Sequence, residues 1–125
     1  MILDTCALIF LAAGDPRLSR PVRTQLGRVP VRWFCSISAF EIALKHRQGK
    51  IELPLAPLPW FCGVAERYAL TEVAVDSELC AAAAALPGHH RDPFDRFIIA
   101  AALRLNVAVV TTDRQFAAYG VTVMS

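Results

Sequence analysis

Apolar and polar positions alternate along the chain in short blocks that predict strands and helices in turn. Strands are expected where short apolar or β-branched runs end at polar or turn residues, and helices where apolar residues recur every three to four positions. The predicted strands are 1–3, 31–35, 71–75, 107–111 and 121–124. The predicted helices are 6–12, 18–29, 38–48, 60–70, 76–86, 92–106 and 114–119, with a proline-stiffened connector at 53–60.

This alternation of strands and helices is typical of an α/β fold. Strands that are separated by helices pair in parallel, and the connecting helices then cover both faces of the sheet. We therefore expect a three-layer α/β/α sandwich with a central parallel sheet of about four to five strands. No break in composition suggests a second unit, so residues 1–125 are expected to form a single domain.

Composition narrows the class of protein further. The chain is 55% hydrophobic, yet no apolar run approaches the roughly 18 residues that would suggest a membrane span. Asp4 interrupts the apolar N-terminus and no basic residue precedes it, so a secretory signal is not predicted and a cytoplasmic location is expected.

The cysteines stand singly in apolar segments and are expected to be buried free thiols: Cys6, Cys35, Cys62 and Cys80.

Charge adds one hint about partners. The net charge of +2 is too small to indicate a nucleic-acid-binding protein by itself. However, eleven of the thirteen basic residues are arginine, whose planar guanidinium group suits bidentate contacts with phosphate. The composition therefore favours phosphate-bearing partners slightly.

The stretch 89–105 carries the most informative chemistry. Asp92 fits the N-cap of a helix, Pro93 fits its first position, and Asp95 falls at its third position. Capping does not require a second carboxylate one turn from the first. His89 and His90, just before this start, are interpreted as loop residues rather than metal ligands.

A second acidic helix start is predicted near residue 38. Ser38 and Glu41 have the spacing of a capping box, in which the hydroxyl bonds forward and the carboxylate reaches back. Lys45, one turn further on, can pair with Glu41. Glu41 therefore has a structural explanation, but the same position also allows it to serve a metal site.

Four carboxylates are expected to converge at the carboxyl edge of the sheet. Asp4 and Asp113 follow strands, while Glu41 and Asp95 open helices. Ionised carboxylates in one crevice repel one another, and a divalent cation removes that repulsion. Because no cysteine or histidine is assigned to the cluster, all-oxygen ligation favours Mg²⁺ or Mn²⁺, held as one ion or two. Such an ion would activate water and neutralise charge on a phosphate.

The ordered motifs resemble a known family. The residues that carry the resemblance are Asp4-Thr5, Ser38 to Ala43 with Lys45 and Gly49-Lys50, Leu86-Pro87, His90 to Arg96, and Thr111-Thr112-Asp113 with Phe116 and Tyr119. Together they are similar to a PIN domain of the VapC-type toxin group. The resemblance implies a metal-dependent endoribonuclease, the toxin of a bacterial toxin–antitoxin pair, which forms a homodimer and is bound by a cognate antitoxin.

The resemblance also assigns roles to individual residues. The catalytic and metal-binding set implied by the family motif is Asp4, Glu41, Asp95 and Asp113. Supporting roles fall to Thr5, Thr111, Asp92, Arg96 and Lys45. Arg96 is expected to contact phosphate or to hold a carboxylate in place, and Asp92 either binds metal or only caps its helix. One departure is Phe40, which stands where many relatives have tryptophan.

Two other functions remain open at this point. The first is a catalytically silent PIN-like module that binds RNA or protein, and metal titration would distinguish it from a nuclease. The second is a phosphatase or receiver-like domain on a doubly wound sheet. It lacks support because no Asp-x-Asp pair follows the first strand.

Overall fold

The computed structural model describes all residues from Met1 to Ser125 and contains one sheet of five parallel strands. The strands, in the spatial order β3-β2-β1-β4-β5, are β1 (Ile2–Leu3), β2 (Arg32–Cys35), β3 (Leu70–Val73), β4 (Val109–Val110) and β5 (Val123–Met124). The helices are α1 (Thr5–Ala13), α2 (Arg20–Leu26), α3 (Ile37–Arg47), α4 (Pro57–Arg67), α5 (Ser77–Ala85) and α6 (Pro93–Leu105), with a 3-10 helix at Arg114–Tyr119. The predicted α/β fold is confirmed.

The helices lie in two layers, one on each face of the sheet. In the central strand β1, Ile2 packs in a core cluster with α5 and α6, whereas Leu3 packs in a second cluster with α1 to α4. Successive side chains of a strand point to opposite faces, so two adjacent apolar residues serve both layers. This arrangement is the expected three-layer sandwich. None of the helices has the length and hydrophobicity needed to span a bilayer.

Helix α6 is the most deeply buried helix and positions much of the crevice described below. Its middle section, from Ile98 to Ala102, is at most 3% exposed. Ile98 and Ile99 fill the core while the alanines that follow keep neighbouring backbones close. Because the helix is fixed by this packing, the direction in which its first turn points is fixed as well.

Several predicted boundaries were displaced. The helix expected at 60–70 is α4, which begins at Pro57 and ends at Arg67, because Pro57 fits the first helical position and does not belong to a connector. The helix expected at 18–29 is shorter, since Pro21 near its start follows an extended N-cap at Ser19. The other elements lie within a few residues of their predicted ranges.

The expectation of four buried cysteines was wrong. Only Cys35 is buried, whereas Cys6, Cys62 and Cys80 are exposed. The three exposed cysteines lie on helices α1, α4 and α5, which cover the sheet and present one face to solvent. An apolar neighbourhood in the sequence therefore did not determine which face of the helix each cysteine occupies.

Two left-handed backbone positions provide a first testable prediction. Gly14, at φ 66°, ends α1, and Ala69, at φ 50°, precedes β3. Gly14→Ala should lower the free energy of unfolding by about 1 kcal/mol, because nothing lies within 4 Å of the added Cβ and only the backbone conformation is strained. Ala69→Gly should raise it by a similar amount, about 1 kcal/mol. Urea unfolding would measure both changes, and equal signs would contradict the explanation.

Candidate active site

The strand and helix ends near the centre of the sheet bring the predicted carboxylates to one edge. Asp4 directly follows β1, and Asp113 lies three residues after β4 ends. Glu41 lies in the second turn of α3, and Asp95 lies in the first turn of α6. Because β1 and β4 are neighbours in a parallel sheet, their carboxyl ends open toward the same side. The crevice thus formed is called the acidic crevice below.

Asp4 is held by the helix that it begins. Its Oδ1 accepts a hydrogen bond of 2.7 Å from the Ala7 amide, so it is the N-cap of α1 as well as a crevice residue. The next residue, Thr5, shares a buried hydrogen bond of 2.9 Å with Ser38 Oγ and so joins α1 to α3. Asp4 can therefore cap α1 and also serve the site, because the cap uses only Oδ1.

Glu41 is paired as expected but does not cap its helix. The N-cap of α3 is Ser36 and no side chain caps it, so the predicted capping box of Ser38 and Glu41 was wrong. Ser38 is used by Thr5, while Glu41 Oε2 accepts from Lys45 Nζ at 2.8 Å. The other oxygen, Glu41 Oε1, is buried and is the sole buried side-chain polar atom without a hydrogen-bond partner. Such an atom is costly unless a cation or water satisfies it.

Asp92 and Asp95 occupy the predicted positions at the start of α6. Asp92 is the N-cap, and its Oδ1 accepts from the Phe94 amide at 2.9 Å. Asp95 is the acidic residue of the first turn, where the positive end of the helix dipole stabilises a carboxylate. The cap aims Asp95 into the acidic crevice, and the role of Asp92 as a metal ligand stays a prediction.

His90 is a crevice residue that the sequence interpretation missed. It is 8% exposed, and its Nε2 lies 2.8 Å from Asp113 Oδ2 and 3.1 Å from Asp95 Oδ2. The statement that no histidine accompanies the carboxylates was therefore wrong. The available signal was its place two residues before an N-cap, because residues that precede a helix start lie at the same sheet edge as the first turn.

Supporting threonine and arginine residues have different partners. The Thr111 hydroxyl accepts from the Asp113 amide at 3.0 Å, which fixes the turn after β4. Arg96 donates only to backbone carbonyls, including those of Leu86 at 2.6 Å and Pro87 at 2.8 Å. Its guanidinium group thus holds the segment between α5 and α6, and the expected contact with a carboxylate is not formed.

Burial and mutual repulsion raise the pKa of two of the carboxyl groups. Burial has the largest effect on the pKa of Asp4, which is raised although hydrogen bonds from Thr111 and Ala7 oppose the change. The charges of Glu41 and Asp113 raise it further. These effects show that the carboxylates interact across the crevice, and a cation would relieve them.

Asp95 is the most strongly perturbed group. Burial, followed by repulsion from Asp92, raises its pKa to about 7, although the neighbouring His90 lowers it. The charges of Asp4 and Glu41 also raise this pKa. A carboxyl group with a pKa near neutrality in a crevice is typical of functional sites.

The donor set fits a divalent cation. One oxygen of Glu41 has no partner, Asp4 uses only Oδ1 for its cap, and Asp95 accepts only through Oδ2. The ligand atoms of His90, Asp95 and Asp113 lie within 4.8 Å of one another, while Asp4 and Glu41 are outside this group. The structure thus brings Asp95 and Asp113 close together, and brings Asp4 and Glu41 within electrostatic range of them.

Comparison with known proteins identifies the family. The family model described as a PIN domain matches residues 1–121. The chain belongs to the PIN-domain family. The chain is also 30% identical over 116 residues to Ribonuclease VapC22 of Mycobacterium tuberculosis, covering 92% of this chain and 88% of that protein. The predicted resemblance to the VapC group of PIN domains is confirmed, and the predicted ribonuclease activity agrees with the name of this relative.

Solved structures share the PIN fold. VapBC2 from Rickettsia felis, bound to a DNA fragment from its promoter, superposes with a TM-score of 0.71 at 15% identity and covers 98% of this chain and 96% of its own. FitAB bound to a DNA fragment superposes with a TM-score of 0.64 at 20% identity and covers 98% and 92%. At these identities the likeness concerns the fold of this PIN domain alone.

Proposed function

We propose that residues 1–125 form a single PIN domain that hydrolyses RNA phosphodiester bonds with a divalent cation held in the acidic crevice. The observation that carries this proposal is the convergence of Asp4, Glu41, Asp95 and Asp113, one of which has a buried oxygen with no partner. A helix cap would not explain a buried oxygen without a partner, such as Glu41 Oε1, whereas coordination of a cation would. Oxygen ligands favour Mg²⁺ or Mn²⁺.

The residues of the chain perform the positioning that such a reaction needs. Asp4 and Asp113 are fixed by main-chain amides, and Asp95 is fixed at a buried helix start. A bound divalent cation supplies an activated water and neutralises charge that develops on the phosphate. Lys45 neutralises one oxygen of Glu41, so the remaining oxygen is free to face the cation. Preorganised groups of this kind need no rearrangement during the reaction.

An exposed aromatic side chain at the crevice supports RNA as the substrate. Phe40 is 57% exposed, and its ring lies 5.7 Å from that of Phe94. These residues immediately precede Glu41 and Asp95 in the sequence, respectively. Unpaired RNA bases stack on exposed aromatic rings, whereas bases in a duplex are not available for stacking. Single-stranded RNA is therefore the substrate that this surface fits.

The same proposal includes partners. VapBC2 and FitAB, which share the fold, are each bound to a DNA fragment. The present chain is proposed to pair with a cognate antitoxin in the cytoplasm. It is also proposed to act as a homodimer. An anionic crevice attracts an arginine- or lysine-bearing segment, through which an antitoxin would block the site.

Cleavage of total RNA by the purified chain tests the function. With Mn²⁺ we expect discrete fragments, and with EDTA none. Asp4→Asn should lower the cleavage rate at least about tenfold, because asparagine keeps the cap oxygen for Ala7 but removes the charge that faces the cation. Asp76→Asn is the matched control, since Asp76 caps α5 by the same geometry and pairs with Arg104 outside the crevice.

The outcome separates the nuclease from a silent binding module. Fragments that persist in EDTA and in Asp4→Asn would assign the cleavage to a contaminating nuclease. If the unsubstituted chain and Asp4→Asn bind RNA equally and neither cleaves it at millimolar Mn²⁺, the result would support the catalytically silent module instead. Asp76→Asn must retain cleavage for the comparison to hold.

A further inference from the structure

His90 lies between two of the carboxylates that are proposed to hold the cation. Its Nε2 is 2.8 Å from Asp113 Oδ2 and 3.1 Å from Asp95 Oδ2. The His90 side chain is buried, whereas the side chains of Asp95 and Asp113 are 19% and 37% exposed. The three residues have the spacing of a metal site, and the role of the imidazole ring depends on which nitrogen carries the proton.

The main chain determines that proton position. The Asp92 amide donates to His90 Nδ1 over 3.1 Å. An amide N–H can only donate, so Nδ1 must present its lone pair, and a neutral ring then carries its proton on Nε2. The Nε2–H group therefore donates to Asp95 and Asp113 at once. With its proton in place, Nε2 has no lone pair with which to bind a cation.

Direct coordination through Nε2 would disrupt this arrangement. The proton would have to move to Nδ1, where it would meet the Asp92 N–H, and that hydrogen bond would be lost. The geometry thus favours His90 as a hydrogen-bond donor to the ligands over His90 as a ligand. Carboxylates that bind metals are commonly oriented by such donors.

Further contacts hold the ring and the backbone segment that carries it. The His90 amide donates to the Tyr119 hydroxyl at 2.6 Å, and the Tyr119 hydroxyl donates to the Pro87 carbonyl at 2.9 Å. The imidazole also lies edge-on to Phe116, with centroids 5.8 Å apart. A donor held in this way can restrain the carboxylates that it contacts.

Both carboxylate oxygens of Asp113 accept hydrogen bonds. Oδ1 accepts from the Gln115 amide at 2.9 Å, and Oδ2 accepts from His90. Each carboxylate oxygen has a second lone pair, so coordination remains available after these bonds form. Asp95 keeps Oδ1 free while His90 restrains Oδ2.

We propose that His90 is a positioning residue that donates one Nε2–H to both Asp95 and Asp113 and so fixes the distance between their carboxylates for the cation. The inference rests on the proposed function, because it concerns the same site. It assigns to the histidine of the His-Arg-Asp stretch a role toward the ligands and excludes it from the coordination sphere.

Two substitutions test the roles of the two ring nitrogens separately. His90→Gln places an amide N–H near the Nε2 position and keeps the donor, whereas His90→Asn places its amide near the Nδ1 position and leaves the carboxylates without a donor. Mn²⁺ binding to the purified chain, measured by calorimetry, should weaken at least about tenfold in His90→Asn. In His90→Gln it should stay within about threefold of the unsubstituted chain.

The results distinguish this inference from the function on which it rests. No Mn²⁺ binding by the unsubstituted chain would overturn the metal site itself. Unchanged binding in His90→Asn, or equal weakening in both variants with equal thermal stability in EDTA, would overturn the positioning role alone. Electron spin echo spectroscopy of bound Mn²⁺ should show no directly coordinated nitrogen, and an imidazole signal that disappears in His90→Asn would also overturn it.

Discussion

Asp95→Asn is expected to lower the rate of RNA cleavage by about 1000-fold or more. A bound cation contributes several kcal/mol of transition-state stabilisation, and each 1.4 kcal/mol is a factor of about ten. Asparagine has nearly the same shape, so α6 should keep its start at Asp92. Single-turnover cleavage with saturating Mn²⁺ would measure the loss.

The same substitution should stabilise the metal-free protein. Burial and then repulsion from Asp92 raise the pKa of Asp95 to about 7. The folded state therefore holds a proton that the unfolded state has lost between about pH 4 and 7, and stability falls as the pH rises through this range. Above pH 7 the whole penalty is present, and Asp95→Asn removes it. We expect a gain on the order of 1–3 kcal/mol at pH 8 in EDTA.

Thermal unfolding at several pH values would measure the expected gain in stability of Asp95→Asn. The gain should diminish as the pH falls toward 4, because both states then hold the proton. Asp76→Asn is a useful control, since the Leu79 amide holds the pKa of Asp76 below its usual value and its neutralisation should destabilise the protein at pH 8. A variant at Asp95 that loses both activity and stability would contradict the explanation.

The fold was predictable because its signals are local. The apolar run that ends at Asp4, the β-branched run before Asp113 and the Asp92-Pro93 pair each indicate an element end without reference to the rest of the chain. Parallel pairing then follows from the alternation of strands and helices. Since the ends of β1 and β4 share one edge, the convergence of the carboxylates was a consequence of the topology.

The errors concern features that depend on tertiary contacts. Ser38 has the spacing of a capping residue, but the competing bond to Thr5 uses its hydroxyl for a contact between two helices. His90 is a loop residue as predicted, but its burial against Phe116 and its contacts with the carboxylates were missed, because they depend on a distant segment. Spacing cannot predict which of two partners a polar group takes when one of them is remote.

Arg96→Ala is expected to lower the free energy of unfolding by about 2–4 kcal/mol. The guanidinium group donates to five backbone carbonyls in the last turn of α5 and in the segment that leads to α6, at Ala83, Ala84, Leu86, Pro87 and His90. Hydrogen bonds to charged groups contribute about 1.5–3 kcal/mol each, and water replaces part of the loss at exposed carbonyls. Arg96→Lys should not restore stability, because one ammonium group cannot reproduce the planar array of donors.

The loss should also reach the site, because one of those carbonyls belongs to His90. Without Arg96, the segment that carries the imidazole ring should open more often, and hydrogen exchange at residues 86–91 should accelerate. Arg91→Ala is the matched control, since Arg91 is exposed and makes none of these bonds. It should leave stability within about 0.5 kcal/mol. If Arg96→Ala unfolds at the same urea concentration as Arg91→Ala, the guanidinium group is not what holds the segment in place.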